Sequence, residues 1–564
     1  MRNFLIIFSF FFVSNFIFSQ MLIFDEEKCK FWHYLDPEKD VLKKFYYYKY
    51  KAKVFGISLN RAYKFLEKIK REPQPVIVAI LDSGIDTTHN ALKEVLWKNS
   101  KEIPNNNIDD DNNGYIDDVY GWNFLGNDKK ENLNDEAYEY ARIYGKWKDF
   151  FINVAPNEIS EELRSDYELF VEAKKEFEKN FLPVYTEFLL YKMILSSYEN
   201  YLKKLKEYLK VDSLTTNDLI KLAEQNKTDT IRFYAFALRV LYQKLNLENI
   251  EQELKKLEKK INTEYNYKDN LRALINDDPY NLNDSIYGNN DVMSTTSHHG
   301  TFVAGIIGGS VGIAKNNVKI MTVRIVPGGD ERDKDVAMGI RYAVKNGAKI
   351  INMSFGKKFS PEKGFVDKMV KYAAENNVLI IHAAGNDATD NDKIPHYPTP
   401  YSIKGEKLTD LWIDVGAMTF DRIASFSNYG KNTVDLFAPG EYIYTTIPNN
   451  GFEFGSGTSA AAPVVTGVAA LLMSYFPELS PQEIKEILLK SVYKPKEKFF
   501  KPINTDFFFS ENYNLFEFFS NYNDDNIKYD LSEFCKTGGI INAYNAVKLA
   551  YKYSKNKLKK RKLN

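Results

Sequence analysis

Gly455-Ser456-Gly457-Thr458-Ser459-Ala460-Ala461-Ala462-Pro463 runs directly into Val464-Val465-Thr466-Gly467-Val468-Ala469-Ala470-Leu471-Leu472-Met473. Small residues crowd one serine, and the apolar run that follows has the length of a buried helix. A serine so placed sits at a helix N-terminus, where free backbone N–H groups and the macrodipole favour a developing negative charge. Gly457 and the alanines leave room for a substrate carbonyl to approach the hydroxyl. Taken alone, the same stretch also reads as a Gly/Ala-rich packing helix with a serine cap. The rest of the chain decides between the two.

A serine hydroxyl is a weak nucleophile until a base takes its proton and a third group orients that base. Val76-Ile77-Val78-Ala79-Ile80-Leu81-Asp82-Ser83-Gly84-Ile85-Asp86 is a β-branched strand that ends in an aspartate and a glycine turn. Ser297-His298-His299-Gly300-Thr301-Phe302-Val303-Ala304-Gly305-Ile306-Ile307-Gly308 is a histidine followed by a small-residue helix. The chain order is Asp, His, Ser, as in subtilisin.

These three stretches resemble the subtilisin-like (S8) serine peptidases. The resemblance implies Asp82 as the orienting carboxylate, His299 as the general base and Ser459 as the nucleophile, with His298 a neighbour. Val378-Leu379-Ile380-Ile381-His382-Ala383-Ala384-Gly385-Asn386 resembles the oxyanion-hole segment, which implies that the Asn386 amide and the Ser459 N–H face the oxyanion. Ser354-Phe355-Gly356 and Ala383-Ala384-Gly385 resemble the two walls of the primary specificity pocket. A polypeptide substrate is expected to pair with the first wall as an added strand. Phe302 stands where the family usually has a second histidine, and Ala460 where methionine is commoner. Two other classes share these features: a pseudoprotease that binds peptides, against which the intact quartet argues, and an adhesion protein working through the insertion described below.

The fold that follows is α/β. Val318 to Val326 and Ala348 to Gly356 are near-continuous apolar strands, with helices expected over Asp335 to Asn346 and Lys363 to Asn377. Apolar strands alternating with helices indicate a mostly parallel sheet covered on both faces, a three-layer arrangement. The catalytic groups then collect on strand ends and helix starts at one edge.

The chain has 564 residues, and Lys plus Arg and Asp plus Glu number 76 each, so no basic footprint for nucleic acid exists. Hydrophobic content of 44% supports a folded core. Residues 1–20 read as an export signal, with Arg2 before the apolar run Phe4 to Phe18 and small Ser19 before a cut at Gln20. That predicts a periplasmic or extracellular protein, with an uncleaved N-terminal anchor as the alternative. No other stretch reads as apolar enough to cross a bilayer. Cys29 and Cys535 are the two cysteines, and their separation leaves pairing open.

Asp109, Asp111 and Asn113 alternate oxygen ligands, Gly114 permits a turn, Tyr115 offers a carbonyl and Asp117 follows. This is three quarters of an EF-hand-like loop, with Tyr120 where the bidentate glutamate belongs. Structural Ca2+ is the expected ion, and a solvated Asn/Asp loop is the alternative. No organic cofactor is expected. The domain reading is a signal at 1–20, catalytic segments at 21–128 and 288–553, a helical insertion at 129–287 and a basic tail at 554–564. Within the insertion Phe188, Tyr191, Leu195, Tyr198, Leu202, Leu205 and Leu209 step by three and four, as do Leu247, Ile250, Leu254, Leu257 and Ile261. Long antiparallel helices are expected, serving as a lid, a substrate-selecting arm or a partner-docking module, or as an ornament without a site.

Overall fold

The computed structural model describes residues 30–44, 50–224, 229–244, 247–293, 297–503 and 527–563. Residues 1–20, read from composition as an export signal, and Cys29 lie outside the described residues. The chain forms two compact units, one of 1–134, 275–326 and 331–564, the other of Asp135–Leu274 with Pro327–Asp330. The second unit is therefore narrower at both ends than the insertion read from sequence.

The first unit is built on seven parallel strands: β1 Val76–Asp82, β2 Gly121–Asn123, β3 Val318–Arg324, β4 Ile350–Met353, β5 Leu379–Ala383, β6 Trp412–Met418 and β7 Leu436–Pro439. Their order across the sheet is β2-β3-β1-β4-β5-β6-β7, and every pairing is parallel. Alternation along β1 shows why both faces are covered. Val76, Val78 and Ile80 pack into one cluster with helices Thr458–Tyr475 and His298–Ile307. Ala79 and Leu81 face the other cluster, with helices Asp333–Lys345 and Lys363–Glu375. Strands buried on both sides need the continuous apolar runs that the sequence carries.

Helix Thr458–Tyr475 is the axle of the first cluster. Among the described residues it alone is long and apolar enough to cross a membrane, yet 89% of it is buried within the protein. The expectation that no stretch after residue 20 has such composition is corrected on that point. Its apolarity has another cause, since it packs against strands on one side and helices on the other. An antiparallel hairpin, β8 Ile443–Ile447 and β9 Gly451–Gly455, leads into it. The closing helix runs Ala543–Leu563, on through the basic segment. That segment is engaged rather than free: Ser554 is fully buried and Lys557 pairs with Glu483 at 2.5 Å. Cys535 is buried as well, and burial pushes its thiol up to about 11.

The second unit is helical, with Glu139–Phe151, Arg164–Leu209, Thr216–Glu224, Asp229–Lys244 and Leu247–Asn262. Leu205 packs with Leu219, Ile231, Ala235 and Leu238 in one cluster, and Phe177 with Ala141 and Tyr265 in another. Along this 46-residue helix Phe170, Ala173, Phe177 and Leu205 are buried, while the other positions of the series Phe188 to Leu209 are half-buried.

Candidate active site

Asp82 is the last residue of β1, and its side chain is only 1% exposed. Its Oδ1 accepts the Ser83 N–H at 2.7 Å and faces His299 Nδ1 at 2.8 Å, while Oδ2 stands 3.0 Å from the same nitrogen. A carboxylate at Nδ1 fixes the tautomer that leaves Nε2 free to accept a proton. Burial pushes the His299 imidazole down, and the Asp82 charge and hydrogen bond outweigh it, so the ring lies above its ordinary value. His298 turns away, its Nε2 3.0 Å from half-buried Glu453 on β9.

Helix His298–Ile307 comes very close to β1. The Ser83 hydroxyl accepts the Gly300 N–H at 3.1 Å, and a Cβ on Gly300 would meet the Gly84 carbonyl at 2.1 Å. Only glycine allows that approach. Phe302, in place of a second histidine, is 6% exposed and lies against Gly455, where an added Cβ would meet its ring at 2.3 Å.

Ser459 opens helix Thr458–Tyr475 behind Gly457, whose φ of 152° sets the chain direction into the first turn. Pro463 has no N–H to give the Ser459 carbonyl, so the normal i to i−4 bond is missing. The Ser354 hydroxyl donates to that carbonyl instead, at 3.0 Å. Ser354 Oγ in turn accepts from Asn352 Nδ2 at 2.9 Å, and Asn352 Oδ1 accepts from Thr466 at 2.7 Å. This buried chain of bonds ties β4 to the turn that carries the serine.

Asn386 follows β5. Its Oδ1 accepts from the Thr458 N–H at 2.8 Å and from the Thr458 hydroxyl at 3.0 Å, which directs Nδ2 the other way. A Cβ on Gly457 would lie 2.7 Å from Ser459 Oγ and 3.7 Å from Asn386 Nδ2. Glycine at 457 keeps that space open for a reacting atom between nucleophile and amide. Among the described residues no hydrogen bond joins Ser459 Oγ to His299, a looseness common before substrate binds.

The structure thus brings together Asp82 and His299, and separately Ser459, Asn386 and Ser354. Ala383, Ala384 and Gly385 lie at the end of β5 beside β4, and Phe355 and Gly356 follow β4. Thr458 and the Asn352–Thr466 pair escaped the sequence reading. Their only signal is position: Thr458 precedes the serine, and Asn352 lies two residues before Ser354.

The acidic loop groups differently from its sequence reading. Carboxylate oxygens of Asp109, Asp111 and Glu102 all lie within 4.8 Å of one another. The Asp117 carboxylate accepts the N–H groups of Asn106 at 3.2 Å and Asn107 at 2.9 Å. Asn113 Oδ1 accepts from the Tyr115 N–H at 2.8 Å, and the buried Tyr115 hydroxyl donates to Ser285 at 3.3 Å. Glu102, seven residues before the loop, was missed. The absence of an acidic residue at the twelfth position, where Tyr120 stands, was the one sequence signal to look for a carboxylate outside the loop.

Residues 74–526 match the Subtilase family profile, and the chain belongs to that family. It is 35% identical over 218 residues to the major intracellular serine protease of Bacillus subtilis (strain 168), an alignment spanning 36% of this chain and 64% of that protein. Subtilisin DY of Bacillus licheniformis is 32% identical over 213 residues, covering 36% of this chain and 73% of that one. Subtilisin-like protease 2 of Plasmodium falciparum is 35% identical over 211 residues, 35% of this chain, and the match spans only 15% of its length.

Proposed function

We propose that this chain is a serine endopeptidase that hydrolyses peptide bonds in polypeptides. Ser459 Oγ attacks the scissile carbonyl while His299 Nε2 takes its proton and later returns it to the leaving amine. Asp82 holds the imidazole in the competent tautomer and stabilises its charged form. The Asn386 amide and the Ser459 N–H donate to the oxyanion, where a bond formed mostly in the transition state raises turnover. The observation that carries this reading is the fixed contact of 2.8 Å between His299 Nδ1 and Asp82. It is supported by the space at Gly457 shared between Ser459 and Asn386.

A fluorophosphonate probe tests it, because only an activated serine reacts. Labelling of the wild type and loss of both labelling and casein hydrolysis in a folded Ser459→Ala variant are the expected results. Labelling that persists in that variant would place the nucleophile elsewhere.

Structural calcium is a second part of the proposal. Asp109, Asp111 and Glu102 offer three hard oxygen ligands at a spacing that suits it. Bound there, the ion would neutralise carboxylates that otherwise repel. Export is a third part and rests on the composition of residues 1–20 alone; N-terminal sequencing of secreted material tests it.

A further inference from the structure

The two wall segments of the specificity slot are joined by a ring that neither supplies. A Cβ on Gly356 would meet His396 Nε2 at 2.3 Å and Cδ2 at 2.6 Å, and a Cβ on Gly385 would meet His396 Cε1 at 3.0 Å. One imidazole therefore touches both glycines, one from each wall. Its backbone is pinned there. The neighbouring Tyr397 exchanges two hydrogen bonds with Lys357, at 3.0 and 2.8 Å, immediately after Gly356. A second ring backs it: His382 on β5 lies 5.7 Å away between centroids, its Nδ1 held by Asp414 at 2.7 Å. His396 is itself half-buried.

Resting on the peptidase reading above, we propose that His396 is the floor of the slot for the residue on the acyl side of the scissile bond. The slot then accepts short side chains such as alanine, serine or glycine and rejects large ones. Aromatic side chains need 150–250 Å² of contact surface, roughly, and the imidazole takes the place where such a ring would lie. It cannot withdraw, because its chain is bonded to one wall and its far side meets a fixed histidine. Nor does it invite an acidic side chain. Burial, with His382 and Lys358 nearby, holds the imidazole down at about 3, so it is uncharged at working pH.

The test uses the full-length protein and peptide p-nitroanilides that differ only in the final residue: alanine, phenylalanine or glutamate. kcat/KM for alanine is expected to exceed that for phenylalanine by at least about tenfold, the scale on which a pocket discriminates by size. His396→Gly should move the ratio about tenfold or more toward phenylalanine. His396→Gln, which keeps a planar side chain of similar reach, should retain the alanine preference even if the glycine variant fails to fold. A wild type that prefers phenylalanine or glutamate overturns the inference, as does an unchanged ratio in folded His396→Gly. If Ser459 is labelled by fluorophosphonate in these cases, the peptidase reading stands and only the floor is wrong. No cleavage of any peptide together with an unlabelled Ser459 overturns both.

Discussion

Both carboxylate oxygens of Asp82 face one nitrogen of His299, at 2.8 and 3.0 Å from Nδ1. The carboxylate raises the imidazole against the downward push of burial. The neutral base is therefore populated only above that raised value, and hydrolysis should fall as pH drops through it. For stability the sign is opposite: the pair's contribution is full below the unfolded histidine value and is lost as pH rises through the folded one. Asp82→Asn removes what raises the ring and leaves what lowers it. The acid limb of kcat/KM should move to lower pH, with kcat down by about 10⁴ as in triads generally. A limb that stays in place in the folded variant would belong to another group.

Asn386→Ala should lower kcat by about 10² or more, as for oxyanion donors generally, and leave KM nearly unchanged. Thr458 directs the amide through two bonds to its oxygen, so the donor is already aimed before substrate binds. A variant with raised KM and unchanged kcat would assign Asn386 to ground-state binding.

Ser354→Ala should destabilise the protein by about 0.5–1.5 kcal/mol, because the half-buried Ser459 carbonyl loses its donor. Pro463→Ala restores an N–H at the position that normally bonds this carbonyl. The double variant should recover part of the loss, measured by denaturant midpoints in a double-mutant cycle. Strict additivity of the two changes would mean that the hydroxyl bond of 3.0 Å contributes nothing.

Calcium should raise the thermal midpoint and chelator lower it, by mass action on the folded state. Glu102→Gln should weaken the response as strongly as Asp109→Asn, since both carboxylates belong to one cluster. Asp117→Asn should weaken it less, its oxygens being held by the 106–107 backbone. A midpoint indifferent to calcium would leave the loop a solvated turn.

The sheet was legible where the sequence carries a period. β1, β3, β4 and β5 are apolar runs, and motif order pointed to Asp82, His299 and Ser459. β2 was not legible: Gly121–Asn123 is three residues long, too short for any pattern, and becomes a strand only because β3 offers an open edge. His396 was invisible for a different reason. It meets Gly356 and Gly385 across a long loop, and no local rule connects those three positions. Glu102 was missed in the same way, because a loop motif cannot name a carboxylate that lies before it and joins its cluster only in space.

The helical unit closes on itself at its base, where the Tyr138 N–H donates to the Glu264 carbonyl at 2.8 Å. Replacing 139–263 by a short Gly/Ser turn would therefore join two backbones that are already neighbours, at a small loop-closure cost. The helices removed have their own core around Leu205, and the cluster around Phe177 leaves only Ala137 and Tyr265 of its buried members behind. Asp82, His299, Asn386 and Ser459 all belong to the other unit. The shortened protein should hydrolyse small chromogenic peptides at a rate within a few-fold of the full chain. If the helices select substrates, cleavage of folded proteins should change in rate or site, read by gel and mass spectrometry. Equal loss on both substrate types, in a variant with a cooperative thermal transition, would make the helical unit part of the catalytic scaffold instead.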